Sequence, residues 1–260
     1  MLLTVLFAAL SGFGMTLVYA LTPSLSWWWR LSIWLGLYVA IGVAYILVLV
    51  VVFLLLPKSD PSPRLRHVTH RLIEWTLSWV LLMLGYRTRV SGKERMPDRP
   101  CLLVCNHRSA FDPLCTAAVL TDTDMVFVAK PGIFRIPVIG TILRRLCFLP
   151  IDRENPRNAV TTIKRAAELI QTVGLHVGIY PEGTRNKQSD GLLPFHAGSF
   201  KIAKLAKCPV AVATIRYEKG FIGKTVHLHI VDVMEEAYVA ENNTATLSER
   251  AKEQIEAHLN

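Results

Sequence analysis

The chain has 260 residues, enough for one sizeable core or for one domain with an appendage. It is 52% hydrophobic with a mean hydropathy of +0.35, and the excess apolar content sits at the front. Residues 1–56 hold no Asp or Glu and only one basic residue, Arg30, so the net charge of +9 leaves +8 on the remainder, which excludes a uniform soluble domain.

In chain order, the first predicted element is an apolar run over residues 1–21 and the second a stronger one over residues 33–56. Each is long enough to cross a hydrocarbon core of about 30 Å at about 1.5 Å per residue. The first lacks the basic start of a signal peptide, and a second run follows closely, so the pair is predicted to form a transmembrane hairpin. The connection, LTPSLSWWWRLS, holds Trp27, Trp28 and Trp29, a residue type that favours the membrane interface. Lys58, Arg64, Arg66 and Arg71 follow the second run, against Arg30 alone in the connection, so residues after the second run are predicted to lie in the cytoplasm at the inner (cell) membrane.

KSDPSPR reads as a proline-broken linker. Residues 65–84 follow as a helix with a dense apolar end, EWTLSWVLLMLG, suited either to the membrane interface or to packing on the domain. Three regions result: a hairpin over 1–56, a linker and helix over 57–85, and a domain over 86–260.

Within the domain, short apolar runs bounded by Gly, Pro and Asp predict strands over 101–105, 125–129, 146–151, 175–180, 210–215 and 225–233. Helical patterns cover 113–120, 158–172, 199–206 and 246–258, the last opening on Thr246 and Glu249 at capping-box spacing. Alternating strands and helices predict an α/β fold with a mostly parallel sheet flanked by helices.

The five cysteines, Cys101, Cys105, Cys115, Cys147 and Cys208, are odd in number and set in apolar surroundings, which argues for buried thiols and against a disulfide framework. A zinc site from Cys101, Cys105, His107 and Cys115 is disfavoured, because CLLVC reads as a buried strand and no CxxC pair exists. His227 and His229 alternate along a strand and are read as a solvent face. Arg144, Arg145, Arg153, Arg157, Lys164 and Arg165 form a basic neighbourhood that suits anionic lipids, phosphorylated small molecules or an acidic carrier protein. Aromatic residues are not interleaved with this charge, and no nucleic-acid partner is expected.

In open α/β sheets ligands gather at the carboxyl ends of strands. His107, Arg153 and the stretch PEGTR, residues 181–185, each follow a predicted strand end, so three distant clusters are expected at one edge. His107 and Asp112 are five positions apart. On a regular helix they would point about 140° apart, so the chain must bend between them. Asp112 is placed as N-cap of the next helix, with Pro113 at its first position.

These residues resemble the glycerolipid acyltransferase family. NHRSAFD carries its H-x4-D motif, YPEGTRNK its EGTR block, and LPIDR the block between. AKPGIFRIPVIG is similar to the family's lysine-to-proline segment and CPVAVATI to its last apolar strand, in the family's order over roughly residues 100–215. LPIDR has a proline where the family often has a small or aliphatic residue. The resemblance implies transfer of a fatty acyl group from an acyl thioester to the sn-2 hydroxyl of lysophosphatidic acid, giving phosphatidic acid. Another lysolipid or lipid amine as acceptor, or a non-catalytic lipid-binding membrane protein, is the alternative. It implies His107 as base, oriented by Asp112, and acceptor binding by Arg153, Glu182, Gly183, Thr184 and Arg185, with Lys130 on phosphate or donor. No metal or redox cofactor is implied; acyl-CoA or acyl carrier protein would serve as co-substrate.

The residues support that chemistry on their own. An imidazole titrates near neutrality and can take a hydroxyl proton and give it up again. A carboxylate on its other nitrogen fixes the tautomer, as in serine-hydrolase triads. No G-x-S-x-G elbow is present, and Cys105 is predicted to be buried, so direct attack by the acceptor hydroxyl is expected.

Overall fold

The computed structural model describes residues 2–55, 63–121, 123–152, 155–186, 191–221 and 223–259. The chain forms two compact units, Met1–Ser59 and Asp60–Asn260.

The first unit is a pair of helices, α1 (Leu2–Leu21) and α2 (Trp27–Leu55). They meet through aromatic packing: Phe7 lies edge-on to Tyr38 and Tyr45, with ring centroids 6.3 and 5.4 Å apart. Leu3, Phe7, Leu49 and Phe53 are buried, while Leu6, Phe13, Val39 and Leu47 are exposed. Both helices are long and apolar enough to cross a membrane. The second starts at Trp27, six residues before the predicted position. Nothing in WWWRLS breaks a helix, whereas Pro23 does stop the chain upstream, and Arg30 donates back to the Pro23 carbonyl at 2.9 Å.

The second unit begins with α3 (Pro63–Met83), followed by β1 (Tyr86–Ser91), β2 (Leu102–Cys105), α4 (Asp112–Val119), β3 (Met125–Ala129), α5 (Ile139–Arg145) and β4 (Leu149–Pro150). Then come α6 (Pro156–Glu168), β5 (His176–Ile179), α7 (Lys201–Ala206), β6 (Val210–Lys219), β7 (Lys224–Met234), α8 (Glu236–Glu241) and α9 (Thr244–Leu259). The strands form one sheet in the order β1-β7-β6-β2-β5-β3-β4. The β6–β7 hairpin is antiparallel, and the other described pairs are parallel.

Successive side chains on a strand point to opposite faces, and β2 shows it. Leu102 and Val104 join a core with Ala166, Ile202 and Leu247 from α6, α7 and α9. Leu103 and Cys105 join the other, with Leu81 at the end of α3 and Cys115 on α4. A strand covered on both faces reads as a continuous apolar run, which is why CLLVC shows no alternation. The helix over 65–84 packs on the domain, with Trp79 and Leu81 buried.

Several predicted boundaries move. The run read as a strand over 146–151 is a strand only at Leu149–Pro150. Leu146 caps α5, and Cys147 leaves it with φ 64, so an apolar run too short to reveal its period conceals a helix end. β1, with its polar sequence YRTRVS, gave no apolar signal and was not predicted. The last helix is capped by Asn243, whose Oδ1 accepts the amides of Ala245 and Thr246, both at 2.9 Å, in place of the Thr246–Glu249 box.

Candidate active site

The sheet order makes neighbours of strands far apart in sequence. Because β6, β2, β5, β3 and β4 run parallel, their carboxyl ends share one edge. His107 follows β2, the PEGTR stretch follows β5, and Lys130 follows β3. Arg153 lies outside the described residues.

The chain beyond β2 is tied down one residue at a time. Asn106 is fully buried, and its amide continues the ladder that β2 has left, accepting from Ile215 N at 2.7 Å and donating to Ile215 O at 3.1 Å. The next five residues curl around one carboxylate. Asp112 is fully buried, and its Oδ2 accepts the amides of Arg108 and Ser109 at 2.7 and 2.8 Å and the His107 ring at Nδ1, 2.7 Å away. Its Oδ1 accepts the Tyr217 hydroxyl at 2.5 Å. An oxygen already taking two amides is an acceptor, so Nδ1 carries the proton and Nε2 of the neutral ring keeps its lone pair.

Asp112 was predicted to cap α4. It is instead the first residue of that helix, after Phe111, and gives α4 no side-chain cap. The carboxylate faces backward into the preceding loop. Those loop amides are what bend the chain enough for residues 107 and 112 to meet.

The imidazole is held on its flat face too. It stacks on Tyr180, with centroids 4.5 Å apart and planes 23° from parallel, and Tyr180 in turn lies 6.0 Å from Phe127. The His107 side chain keeps 18% of its surface open to solvent. Burial, with Asp112 nearby, keeps the Tyr180 phenol well above its ordinary range, so it remains neutral.

Glu182 is nearly fully buried. Its Oε1 accepts the His107 amide at 2.6 Å and its Oε2 the Leu193 amide at 3.0 Å. Asn186 N donates to His107 O at 2.7 Å. The loop after β5 therefore holds His107 by both backbone polar groups. Gly183 takes φ 75 in the turn, a conformation that suits glycine, and Gly183 N donates back to Tyr180 O at 3.1 Å. Thr184 and Arg185, next along, are exposed.

An imidazole with a proton-accepting edge, braced by a buried carboxylate and beside an arginine-bearing loop, is the arrangement that acyl transfer needs. Residues 87–216, half of the chain, match the family model described as Acyltransferase. The chain belongs to this acyltransferase family. Over 177 residues it is 36% identical to the chloroplastic 1-acyl-sn-glycerol-3-phosphate acyltransferase BAT2 of Brassica napus, covering 67% of this chain and 50% of that protein. The 1-acyl-sn-glycerol-3-phosphate acyltransferase of Bacillus subtilis is 29% identical over 161 residues, covering 57% of this chain and 78% of that one. This chain spans about half the length of several such relatives, from plants and human. The crystal structure of the 1-acyl-sn-glycerophosphate acyltransferase PlsC from Thermotoga maritima shares the fold, with a TM-score of 0.66 at 20% identity, covering 98% of this chain and 92% of that one.

Within this acyltransferase domain some expected roles change. Glu182 was grouped with the acceptor-binding residues; its two oxygens instead hold the backbone of His107 and Leu193. Lys130 is exposed at the end of β3. Arg144, although exposed, donates to Phe134 O at 2.8 Å, and Arg165 pairs with Glu168 at 2.9 Å, so part of the basic neighbourhood is engaged within the domain. His227 and His229 line a cleft of about 700 Å³ with Arg216 and His258 of α9, and each has a partner: Glu218 for His227 and Ser91 for His229.

Tyr217 and Asn106 were not predicted as part of the site. Tyr217 is 105 residues from Asp112 in sequence, a separation at which no local pattern signals a contact. Asn106 opens the stretch NHRSAFD, where an uncharged amide carries no signal of its own beside His107 and Asp112.

The two cysteines nearest His107 and Asp112 in the chain, Cys105 and Cys115, are poor nucleophiles. Burial, reinforced by the negative charges of Asp112 and Glu182, raises the Cys105 thiol well above its ordinary range. Burial, then Asp112, pushes Cys115 up to about 12. Among the described residues, no group of three or more His, Cys, Asp or Glu is placed to hold a metal ion.

Proposed function

We propose that this acyltransferase moves a fatty acyl group from an acyl thioester to the sn-2 hydroxyl of 1-acyl-sn-glycerol-3-phosphate, giving phosphatidic acid. The observation that carries the reading is the His107–Asp112 pair: a 2.7 Å bond from Nδ1 to a fully buried carboxylate, with the rest of the ring partly open. The names of the relatives supply the acceptor, and acylation of its free hydroxyl gives the product.

In the proposed step, His107 Nε2 takes the hydroxyl proton while the alkoxide oxygen attacks the thioester carbonyl. The carbon–sulfur bond then breaks, and the imidazolium returns the proton to the departing thiolate. The ring ends as it began, and no metal or redox partner is needed. Such general-base help contributes about 10²–10⁴-fold; orientation of the acceptor supplies much of the rest. Arg185, Thr184 and the Gly183 backbone, on the loop that clamps His107, would hold the acceptor phosphate, together with Arg153 and Lys130. A guanidinium suits phosphate because its planar donors match the oxygens. Either acyl-CoA or an acylated carrier protein serves as donor.

The two apolar helices would anchor the enzyme in the inner membrane, with the basic residues after α2 keeping the catalytic domain on the cytoplasmic face. Lysolipid could then reach the site from the bilayer.

The test is thiol release crossed over both donors and a panel of acceptors. Release should require the phosphorylated lysolipid, and His107→Ala should abolish it while the protein stays folded and membrane-bound. Substantial residual transfer in that variant would rule out His107 as base. Thiol release without any acceptor would point to a hydrolase.

A further inference from the structure

β6 and β7 are joined by the turn in KGFIGK, at the sheet edge that carries His107. Phe221, in that turn, is fully exposed at 105% of its reference area, whereas Phe127, Phe134 and Phe200 are buried. Lys219 and Lys224 are direct cross-strand partners at the base of the turn, and both are exposed. Like charges placed opposite each other across an antiparallel pair are destabilising. The turn thus combines two features that weaken a protein left in water.

The residues flanking the tip are tied down. Gly220 N donates to Gly223 O at 3.1 Å, and Lys224 N donates to Gly85 O at 2.8 Å. A Cβ on Gly223 would come within 1.9 Å of the Gly85 carbonyl oxygen, so the turn lies directly against the chain leaving α3. That chain brings Leu82, Met83 and Leu84, all exposed, up to Gly85. Trp79 and Leu81 supply the buried face there, while these three keep between 37% and 55% of their surface open.

We infer that Phe221, Leu82, Met83 and Leu84, collared by Lys219 and Lys224, form a membrane contact of the catalytic domain itself, seated in an anionic bilayer surface. An apolar tip in a basic collar suits the boundary between acidic headgroups and acyl chains. Glu218, next to Lys219 on the hairpin, is engaged with His227 at 3.0 Å. The chain also carries two helices apolar enough to span a bilayer, which keeps such a surface within reach. The inference rests on the membrane acyl-transfer reading above. It adds that the edge bearing His107 is pressed to the lipid by its own hairpin.

The test uses the full chain in lipid nanodiscs, with a fluorinated phenylalanine at position 221 and, separately, at Thr172, which precedes the amino end of β5. Nitroxide carried by the lipid should broaden the 221 signal several-fold more than the 172 signal. An aqueous paramagnetic chelate should do the reverse, and the contrast should shrink when anionic lipid is replaced by neutral lipid. Equal broadening at both positions, or ready access of the chelate to position 221, would overturn the inference. Shielding of position 221 from both the lipid nitroxide and the chelate would overturn it too, and would mean that protein, not a bilayer, covers the patch. In a second arm, Phe221→Asp should slow transfer to vesicle-borne acceptor roughly tenfold and leave transfer to a short-chain, water-soluble acceptor within about twofold of the parent. Equal loss on both acceptors would count against it. A wild-type enzyme that transfers no acyl group would sink the proposed function while leaving the fluorine result intact.

Discussion

Asp112 answers four donors with one carboxylate: two loop amides, the His107 ring and the Tyr217 hydroxyl. Asp112→Asn keeps the shape but puts an amide where acceptors are needed. It should lower kcat at least about 10²-fold and destabilise the domain by about 1–3 kcal/mol through buried donors left unpaired. Steady-state kinetics and denaturant unfolding would measure the two effects. Tyr217→Phe removes one of the four bonds. Its expected effect is a roughly three- to tenfold fall in kcat with KM for the acceptor unchanged; a rise in KM alone would mean Tyr217 lines the acceptor site instead. Two other histidines set a pH limit. Burial lowers His70 and His176 to about 4, partly opposed by Asp124. In the unfolded chain both titrate near their ordinary value of about 6.5. Between those values the unfolded state binds more protons, so stability is complete above about pH 6.5 and falls as pH drops toward 4. The loss is on the order of 3 kcal/mol for each histidine. Melting temperatures across that window would show the decline, and His176→Gln should reduce its slope.

At the scale of elements, the ring of His107 depends on a column of aromatics standing on β5 and β3. A Cβ on Gly178 would come within 2.3 Å of the Phe127 ring. Phe127 lies under Tyr180, and Tyr180 under His107. Gly178→Ala should therefore cost about 1–3 kcal/mol as an overpacked core and also lower kcat, although it lies outside the site. A melting shift without any change in kcat would show the column to be decoupled from the imidazole. Element types were legible where pattern and length were strong: the two apolar helices, the buried strands β2, β3 and β5, and helix α6. They failed where local pattern is ambiguous. YRTRVS is an edge strand with few apolar residues to mark it, and LCFLPI hides the junction between α5 and β4 because a run of six apolar residues fits either period.

For the whole molecule, each unit carries its own buried residues, so a chain lacking residues 1–55 should still unfold cooperatively. Circular dichroism during thermal unfolding would check this, and a molten transition would show that the domain needs the hairpin. The sequence by itself determined the apolar front, the alternation of strands and helices, and the pairing of His107 with Asp112. These rest on composition, periodicity and a short motif, all of which are local. Only the tertiary structure decided that Tyr217, 105 residues away, completes the carboxylate's bonding, that Glu182 holds the His107 backbone, and that Phe221 stands in the open between two lysines. Sheet order brings distant residues to one edge, and burial settles which polar groups are occupied and which remain for substrate. Neither quantity is written in any single stretch of chain.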